Sequence, residues 1–331
     1  MIDVSPAVRP DLWLGAAAWT ERSAFARPWR LLPDELAYAY SDDLADRATI
    51  PAGVRLEAHT DAAQLSVRLS TDDHGVVDFT SDDALLRRCS IEAGISDLLI
   101  DIPGGAHRVG IWLPTWGHVE IGKTELIGGD LAEPIGTDRI TWAAYGSSIT
   151  MCRTAPGPTE SWPAIVARQQ DWDLSCLGFG GQCHLDPVVV RTLAACEADV
   201  ISLCLGINVH AHSSFGRRTW QGQVCDFIRR VREGHPSAAL VVVSPIAAPD
   251  REHLPNACGM TVADIRDGVR EVAEDLAHED DRLLAVDGRD IVSVDEGRSL
   301  LADGVHPTPE GYRLMADRLR PVLSGALAIP S

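Results

Sequence analysis

The sequence predicts an α/β protein built in two parts, and three observations carry that prediction. The chain has 331 residues and is 45% hydrophobic, which is enough for roughly two domains with buried cores. From about residue 54 to 127, apolar and polar residues alternate with a period of two. Beyond about residue 139, short apolar segments alternate with helical patterns. We therefore predict an antiparallel β-sandwich in residues 1–130 and a doubly wound parallel sheet in residues 131–331.

The N-terminal part has the pattern of half-buried strands. Its alternating segments are VRLEAHT, QLSVRLS, VVDFT, DLLID, HRVGIWLP and HVEIGKTELI. Connections rich in Asp, Gly, Ser and Pro separate them without a long helical pattern, which favours an antiparallel sandwich. The first fifty residues are less regular, because DLWLGAAAW and PDELAYAYSDDLADRA each fit a strand, a short helix or a loop.

The C-terminal part alternates strands with helices. The predicted strands are ITWAAYG, DLSCLG, DVISLCLG, ALVVVSP and RLLAVDG. Three of these strands are followed by apolar residues with helical spacing: Trp220, Val224, Phe227, Ile228 and Val231; Val262, Ile265, Val269, Val272 and Leu276; and Tyr312, Met315, Leu319 and Val322. Thr261 is a predicted cap before the second of these helices, and Pro309 precedes the third. Five such alternations predict a parallel, doubly wound sheet.

Composition narrows the classes of partner. A net charge of −19 opposes binding to nucleic acids and to anionic membrane surfaces. No apolar run approaches the ~20 residues of a membrane helix, and no basic leader precedes the first apolar segment. The eight cysteines form no CxxC pair and several lie in apolar segments, which is typical of buried thiols. We expect a cytoplasmic protein with a small-molecule substrate.

The predicted strand ends carry the candidate chemistry. Ligands of open α/β sheets bind outside the carboxyl ends of the strands, where the winding reverses. The first three strands run into YGSSIT, GFGGQCHLD and GINVH, and DGVHPTPEGY lies beyond the fifth. These segments contain Ser, Gly, Asn, Asp and His, which together can build a nucleophilic site.

A nucleophilic serine needs a neutral imidazole as base and a carboxylate that orients the imidazole. Asp303 and His306 are three residues apart before a predicted helix, so the carboxylate can reach Nδ1 while Nε2 faces outward. Taken singly, each segment has a plainer interpretation. The two serines can simply form a turn, and the Asp and His can simply belong to a loop near the start of a helix. Likewise, Gly181 and Asn208 can supply hydrogen-bond donors to an oxyanion. Alternatively, Gly181 can simply form a turn and Asn208 can cap the next segment.

The four segments together, in this order, resemble the SGNH (GDSL-type) hydrolase family. The G-x-S-x-G elbow of the α/β-hydrolases fits less well, since Thr150 stands where its second glycine belongs. The resemblance covers roughly residues 139 to 325 and implies a flavodoxin-like, five-stranded SGNH fold. The N-terminal part is similar to the jelly-roll-like β-sandwich that precedes the catalytic domain in some esterases and acyltransferases of this family.

Carried over by position, the resemblance makes Ser148 the nucleophile, His306 its base and Asp303 the orienting acid. It assigns the oxyanion hole to the N–H groups of Ser148 and Gly181 and to the Asn208 amide. Ser147 replaces the Asp of the motif, which leaves open how the nucleophile loop is braced.

The family resemblance implies a serine esterase that hydrolyses small, acetyl-type O-acyl esters of a sugar or a natural product such as a polyketide. An acyltransferase that uses the same triad is the first alternative, and a non-catalytic glycan-binding protein is the second. No cofactor is expected.

Other aromatic and imidazole side chains have weaker assignments. We predict that His184 and His210 contact the substrate, and no metal site at the H-x-H pair of His210 and His212, because no further ligand stands at a convincing spacing. Five N-terminal tryptophans can include a sugar-stacking platform, although buried core positions are the favoured interpretation: Trp13, Trp19, Trp29, Trp112 and Trp116.

Overall fold

The computed structural model describes residues 1–82, 84–136 and 138–329. The predicted fold class is confirmed, with an antiparallel β-sandwich followed by a five-stranded parallel sheet. The last two residues of the predicted second part, 330 and 331, lie outside the described residues. No helix in the described chain is both long enough and apolar enough to span a membrane.

Twelve strands in the described residues belong to the sandwich: β1 (Ile2–Asp3), β2 (Trp13–Leu14), β3 (Ala18–Arg22), β4 (Phe25–Trp29), β5 (Arg55–Thr60), β6 (Gln64–Thr71), β7 (Gly75–Ser81), β8 (Ala84–Ile91), β9 (Gly94–Asp101), β10 (His107–Trp112), β11 (Val119–Ile127) and β12 (Ala132–Glu133). One sheet has the order β3-β4-β11-β6-β9, with β1 paired to β11. The other has the order β12-β5-β10-β7-β8, with β2 paired to β5. Leu65, Val67 and Leu69 of β6 are buried in the core between the sheets, as the period of two predicts.

The parallel sheet consists of β13 (Thr141–Gly146), β14 (Asp173–Gly178), β15 (Val200–Cys204), β16 (Ala239–Val243) and β17 (Leu283–Val286). Its order is β14-β13-β15-β16-β17, and all four pairings are parallel. In chain order this is 2-1-3-4-5, the flavodoxin-like arrangement. The winding reverses at β13, so the carboxyl end of β13 is the position at which such a sheet binds its ligand.

The helices in the described residues are α1 (Pro33–Leu36), α2 (Asp42–Ala48), α3 (Ser148–Met151), α4 (Trp162–Gln170), α5 (Pro187–Ala195), α6 (Ile207–His212), α7 (Trp220–Gly234), α8 (Val262–Ala277), α9 (Gly288–Ile291), α10 (Val294–Leu300) and α11 (Pro309–Leu327), with 3-10 turns at Pro10–Leu12 and Pro158–Glu160. The three helices predicted from apolar spacing are α7, α8 and α11. Thr261 caps α8 in a reciprocal capping box with Asp264, and Thr308 caps α11 by accepting the Gly311 N–H.

The sequence leaves the first fifty residues undecided, and in the structure they serve both parts: residues 2–29 contain β1–β4 of the sandwich, and the segment after β4 packs against the parallel sheet. PDELAYAYSDDLADRA folds as α1 and α2, and Leu31, Leu44 and Ala48 join the hydrophobic core on one face of the parallel sheet. Arg30 is fully buried and donates to the carbonyls of Cys176 and Gly178 at 3.0 and 2.6 Å. These contacts hold the segment against β14, at the edge of the parallel sheet.

A second buried arginine ties the sandwich to the same strand. The Arg55 guanidinium donates to Glu57 at 2.9 Å, to Asp173 at 2.7 Å and to the Leu174 carbonyl at 2.9 Å. Arg108 and Arg139 also donate to Glu57, at 3.0 and 2.6 Å. The Glu57 carboxylate is therefore held by three guanidinium groups where β5 meets β14.

Candidate active site

The nucleophile candidate lies at the reversal point of the parallel sheet. β13 ends at Gly146, and Ser148 is the first residue of α3. Ser147 caps this helix, since its Oγ accepts the Ile149 N–H at 3.2 Å. Where the family motif has Asp, this chain thus braces the turn with a serine hydroxyl.

Close packing of α3 onto the sheet depends on two paired glycines. A Cβ on Gly178, at the end of β14, would lie 2.3 Å from the Met151 backbone nitrogen. A Cβ on Gly146 would lie 2.2 Å from Thr150 Oγ1. Because neither position has room for a side chain, the glycines allow the short helix to sit directly over the strand ends.

Ser148, His306 and Asp303 form one hydrogen-bonded chain. Ser148 Oγ lies 2.8 Å from His306 Nε2, and His306 Nδ1 lies 2.7 Å from Asp303 Oδ2. Asp303 and His306 stand on the loop before α11, which is held by the Leu301–Pro307 bridge and by the Ala302 N–H donated to the His306 carbonyl at 2.8 Å. The loop predicted from the D-x-x-H spacing thus reaches Ser148, just beyond the end of β13 and 158 residues away from His306 in sequence.

The state of Asp303 fixes the tautomer of His306. Burial opposes ionisation of Asp303, but hydrogen bonds from the backbone and ring of His306 and from the Val305 N–H outweigh it and lower the pKa of Asp303 to about 2. An ionised carboxylate only accepts hydrogen bonds, so Nδ1 of His306 carries the proton. In the neutral ring, Nε2 then presents its lone pair to the Ser148 hydroxyl.

Three candidate oxyanion donors belong to residues that line the same cavity, Ser148, Gly181 and Asn208. Gly181 has a φ of +74°, a left-handed conformation that favours glycine. Asn208 Oδ1 accepts the Cys183 N–H at 3.0 Å, so its NH₂ group is the part left for the cavity. Within the described residues, neither that NH₂ nor the backbone N–H of Ser148 or Gly181 has an acceptor. Unpaired donors of this kind can stabilise an oxyanion.

The imidazoles outside the triad differ in their surroundings. Burial is the main cause that lowers the pKa of His184, whose Nε2 lies 3.0 Å from the Gly181 carbonyl and whose Nδ1 lies 2.8 Å from Ser214 Oγ. The ring of His210 is buried, with Nε2 2.9 Å from the Leu254 carbonyl. Each ring thus has a partner in the protein: His184 supports the Gly181 turn and His210 supports the loop after β16.

The candidate residues surround one cavity of about 460 Å³. Its lining residues are Arg47, Trp116, Ser148, Met151, Arg153, Thr154, Gly180, Gly181, Ile207, Asn208, Ala211, His212, Arg251, Asp303, Val305 and His306. The structure therefore brings together Ser148, Gly181, Asn208, Asp303 and His306, as predicted. It places His212 in the wall, while His184 and His210 are not among the lining residues.

Among the lining residues that the sequence did not assign to the site are three arginines and one tryptophan. Arg47 and Trp116 come from the N-terminal part, and Arg153 and Arg251 follow α3 and β16. The Arg153 guanidinium carbon lies 3.7 Å from the centre of the Trp116 ring, and that of Arg47 lies 4.9 Å from it. Two of these four residues had a signal in the sequence: Arg153 lies five residues beyond Ser148, and Trp116 is one of the five tryptophans considered for a stacking platform. Among the described residues, no group of three or more His, Cys, Asp or Glu side chains is arranged to hold a metal ion.

A serine bonded to a His–Asp pair at the reversal point of a doubly wound sheet is the arrangement of esterases and acyltransferases that work through a serine. Residues 144–314 match the model of the GDSL-like Lipase/Acylhydrolase family, and the chain belongs to that family. It is therefore an enzyme of acyl-ester hydrolysis or acyl transfer, and the predicted family and enzyme class are confirmed.

Solved structures share the whole two-part architecture. The salicylyl-acyltransferase SsfX3 from a tetracycline biosynthetic pathway has 27% identity and a TM-score of 0.90, with 99% of this chain and 98% of that chain covered. A GDSL-like lipase from Bacteroides ovatus has 17% identity and a TM-score of 0.75, with 96% of each chain covered. A family two carbohydrate esterase from Clostridium thermocellum has 17% identity and a TM-score of 0.68, with 96% of this chain and 100% of that chain covered. None of the curated proteins matches the chain.

Proposed function

We propose that this enzyme cleaves small O-acyl esters through an acyl-enzyme at Ser148. The observation that carries the proposal is the 2.8 Å contact between Ser148 Oγ and His306 Nε2, with Asp303 bonded to the other ring nitrogen. Nucleophile and base are thus within the distance at which a proton passes directly between them.

In the first step, Ser148 Oγ attacks the ester carbonyl while His306 Nε2 accepts the serine proton. The imidazolium that forms is stabilised by the Asp303 carboxylate and then gives the proton to the leaving alcohol oxygen. In the second step, a water or an alcohol attacks the acyl-enzyme, with His306 again as base. The serine is regenerated when the acyl bond to Oγ breaks and Oγ takes from His306 the proton that the water or alcohol gave up.

The negative charge that develops on the carbonyl oxygen in both steps needs donors in place beforehand. We assign that role to the N–H groups of Ser148 and Gly181 and to the NH₂ of Asn208. Because Asn208 Oδ1 is bonded to the Cys183 N–H, the amide cannot rotate without losing that bond. The donors are therefore oriented before substrate binds, which is the property that makes an oxyanion hole effective.

The experiment compares two neighbouring serines with p-nitrophenyl acetate as substrate. Ser148→Ala should lose at least about 10³-fold in kcat, the scale for loss of a triad nucleophile. Ser147→Ala is the matched control: it removes the cap of α3, worth about 1 kcal/mol of stability, and should retain measurable turnover. Full turnover by folded Ser148→Ala would refute the assignment.

A second candidate, acyl transfer to a hydroxyl of a sugar or natural product such as a polyketide, is favoured by the likeness to SsfX3. That similarity extends over 99% of this chain at 27% identity. The same acyl-enzyme serves water and alcohol acceptors, so product analysis in the presence of a panel of hydroxyl acceptors separates them. Formation of the new ester supports transfer, and hydrolysis alone across the panel supports the esterase.

Two further predictions, on the domain boundaries and on the location in the cell, belong to this proposal. We propose that the chain divides into an accessory sandwich of residues 1–130 and a catalytic domain of residues 131–331, with the short strand β12 at the start of the second range pairing back onto β5 of the sandwich. We also propose a cytoplasmic location, which the eight unpaired cysteines support, because free thiols are typical of reducing compartments.

A further inference from the structure

We propose that the site takes an acyl ester with an anionic substituent, a carboxylate or a phosphate, and binds that anion with arginines of the cavity wall. This inference rests on the proposed function, because it concerns the substrate of the same site. It names a chemical class that the family does not specify.

Charge in the cavity wall has the opposite sign to charge in the rest of the chain. The whole protein carries −19, yet the ionised side chains in the wall are Arg47, Arg153 and Arg251 against one carboxylate, Asp303. The formal charges of these three arginines and one carboxylate add up to +2. A positive concave surface within an acidic protein concentrates anions where the overall field would repel them.

Among the described residues, two of the three wall arginines have no carboxylate partner. Asp303 accepts hydrogen bonds from the His306 ring, the His306 N–H and the Val305 N–H. Arg47 forms an ion pair with its neighbour Asp46. Within residues 1–82, 84–136 and 138–329, the guanidinium groups of Arg153 and Arg251 have no hydrogen bond and no ion pair.

Two arginines outside the cavity show how this chain holds a carboxylate with a guanidinium. The guanidinium of Arg88, for example, binds both oxygens of Asp78 and also reaches Glu160 at 2.6 Å. Arg266 is buried and binds both oxygens of Glu252 at 2.7 Å. The same fork-shaped group that holds a carboxylate at those places is presented unpaired to the cavity by Arg153 and Arg251.

Trp116 holds Arg153 in position for such binding. Its indole N–H donates to Asp73 Oδ2 at 3.2 Å, and its ring lies 3.7 Å from the Arg153 guanidinium carbon. A guanidinium over an aromatic ring is stabilised through its face, while its N–H groups around the edge remain free for an anion. Asp73 and Trp116 belong to the N-terminal part, so the sandwich would contribute to substrate choice.

The test uses two pairs of esters in which a carboxylate is replaced by an amide of nearly the same shape. One pair places the charge on the acyl side: the p-nitrophenyl esters of 4-carboxybenzoic and 4-carbamoylbenzoic acid. The other pair places the charge on the alcohol side: 4-acetoxybenzoate and 4-acetoxybenzamide. For each pair, kcat/KM of the charged ester is divided by kcat/KM of the neutral ester. This ratio is then divided by the same ratio of the uncatalysed hydrolysis rates, which corrects for the intrinsic reactivity of the two esters.

At low salt, the ratio for the wild-type enzyme should reach about 10 or more in one pair, and that pair identifies the side that carries the anion. The double substitution Arg153→Gln with Arg251→Gln should bring the ratio to about 1, and Arg251→Glu should bring it below 1. Arg229→Gln, on the outer surface of α7, is the control for net charge and should keep the wild-type ratio. Added salt should lower the wild-type ratio.

Equal turnover of charged and neutral esters in both pairs would overturn the anion site and leave the esterase proposal intact. If none of the four esters is cleaved, the anion site is tested by binding instead, with Ser148→Ala protein titrated with terephthalate and with terephthalamide. Tighter binding of terephthalate that disappears in the double arginine variant supports the site. Equal binding of the two compounds contradicts it. Failure of the esterase proposal is recognised separately, by the absence of Ser148-dependent turnover of the neutral esters.

Discussion

Both carboxylate oxygens of Asp303 bind the same residue, His306. Oδ2 lies 2.7 Å from the ring Nδ1, and Oδ1 accepts the His306 backbone N–H at 2.8 Å. The two contacts fix the plane of the ring as well as its tautomer, so that Nε2 meets Ser148 Oγ at 2.8 Å. The orientation of the base is thus set within a four-residue loop.

Asp303→Asn tests this arrangement. An amide in place of the carboxylate can donate to Nδ1, which favours the wrong tautomer and leaves the imidazolium unsupported. We expect kcat for p-nitrophenyl acetate to fall about 10²- to 10⁴-fold with the fold retained. Asp295→Asn, on the exposed face of α10, is the matched control and should keep wild-type kcat. If the two variants were equally active, Asp303 would have no part in orienting the base.

Asn208 allows donor and acceptor roles to be separated. Asn208→Asp keeps Oδ1 for the Cys183 N–H but replaces the NH₂ donor with a negative oxygen. We expect about a 10²- to 10³-fold loss in kcat with little change in KM, because the interaction is made mainly in the transition state.

Asn208→Ala also removes the acceptor of the buried Cys183 N–H. It should therefore show the loss in kcat together with about 1–3 kcal/mol of lost stability, measured by urea unfolding. A loss of stability with unchanged kcat in both variants would reduce Asn208 to a structural residue.

Gly178→Ala tests the close approach of α3 to the sheet. The added Cβ would lie 2.3 Å from the Met151 nitrogen, a backbone atom that moves only together with the nucleophile helix. We expect a lower melting temperature and at least about a tenfold loss in kcat, since small displacements of a nucleophile are costly. Gly222→Ala, in α7 with nothing within 4 Å of the new Cβ, should leave activity unchanged and slightly raise stability.

Glu57 gives the stability of the protein a predictable dependence on pH. Burial alone would raise the pKa of Glu57, but the guanidinium groups of Arg55, Arg139 and Arg108 outweigh it and lower the pKa from 4.5 to about 2. A lowered pKa in the folded state contributes stability above pH 4.5, and that contribution is lost as pH falls towards 2.

Glu57→Gln should therefore destabilise the protein most at neutral pH, by about 3–5 kcal/mol, the cost of removing one partner from a buried ion pair. The difference from wild type should narrow between pH 4.5 and 2. Urea unfolding of both proteins at pH 7 and pH 3 measures it. The same difference at both pH values would mean that the charge on Glu57 does not stabilise the fold.

The site was predictable from the sequence where it depends on strand ends. Ser148, Gly181 and Asn208 each follow a parallel strand, and such strand ends meet at one edge whatever the loops do. Helical spacing with caps likewise predicted α7, α8 and α11. For these elements the local pattern and the tertiary environment agree.

The parts of the site that the sequence did not predict depend on packing between segments that are distant in the chain. Arg47 reaches the cavity from the segment of residues 30–52 that docks against the parallel sheet, and Trp116 reaches it from the connection between β10 and β11. No local period encodes either placement. The bonding of His184 to the Gly181 carbonyl also depends on a turn whose conformation is set by one residue with positive φ. Tryptophan composition alone did not separate Trp116 from the buried Trp13 and Trp112.

The central claim is that Ser148 is the nucleophile, and labelling with a fluorophosphonate followed by peptide mapping tests it most directly, without knowledge of the substrate. We expect one adduct per chain, on Ser148, with Ser147 unmodified and with labelling strongly slowed in His306→Ala because the base is gone. An adduct on another residue, or no adduct on folded wild-type protein, would contradict it.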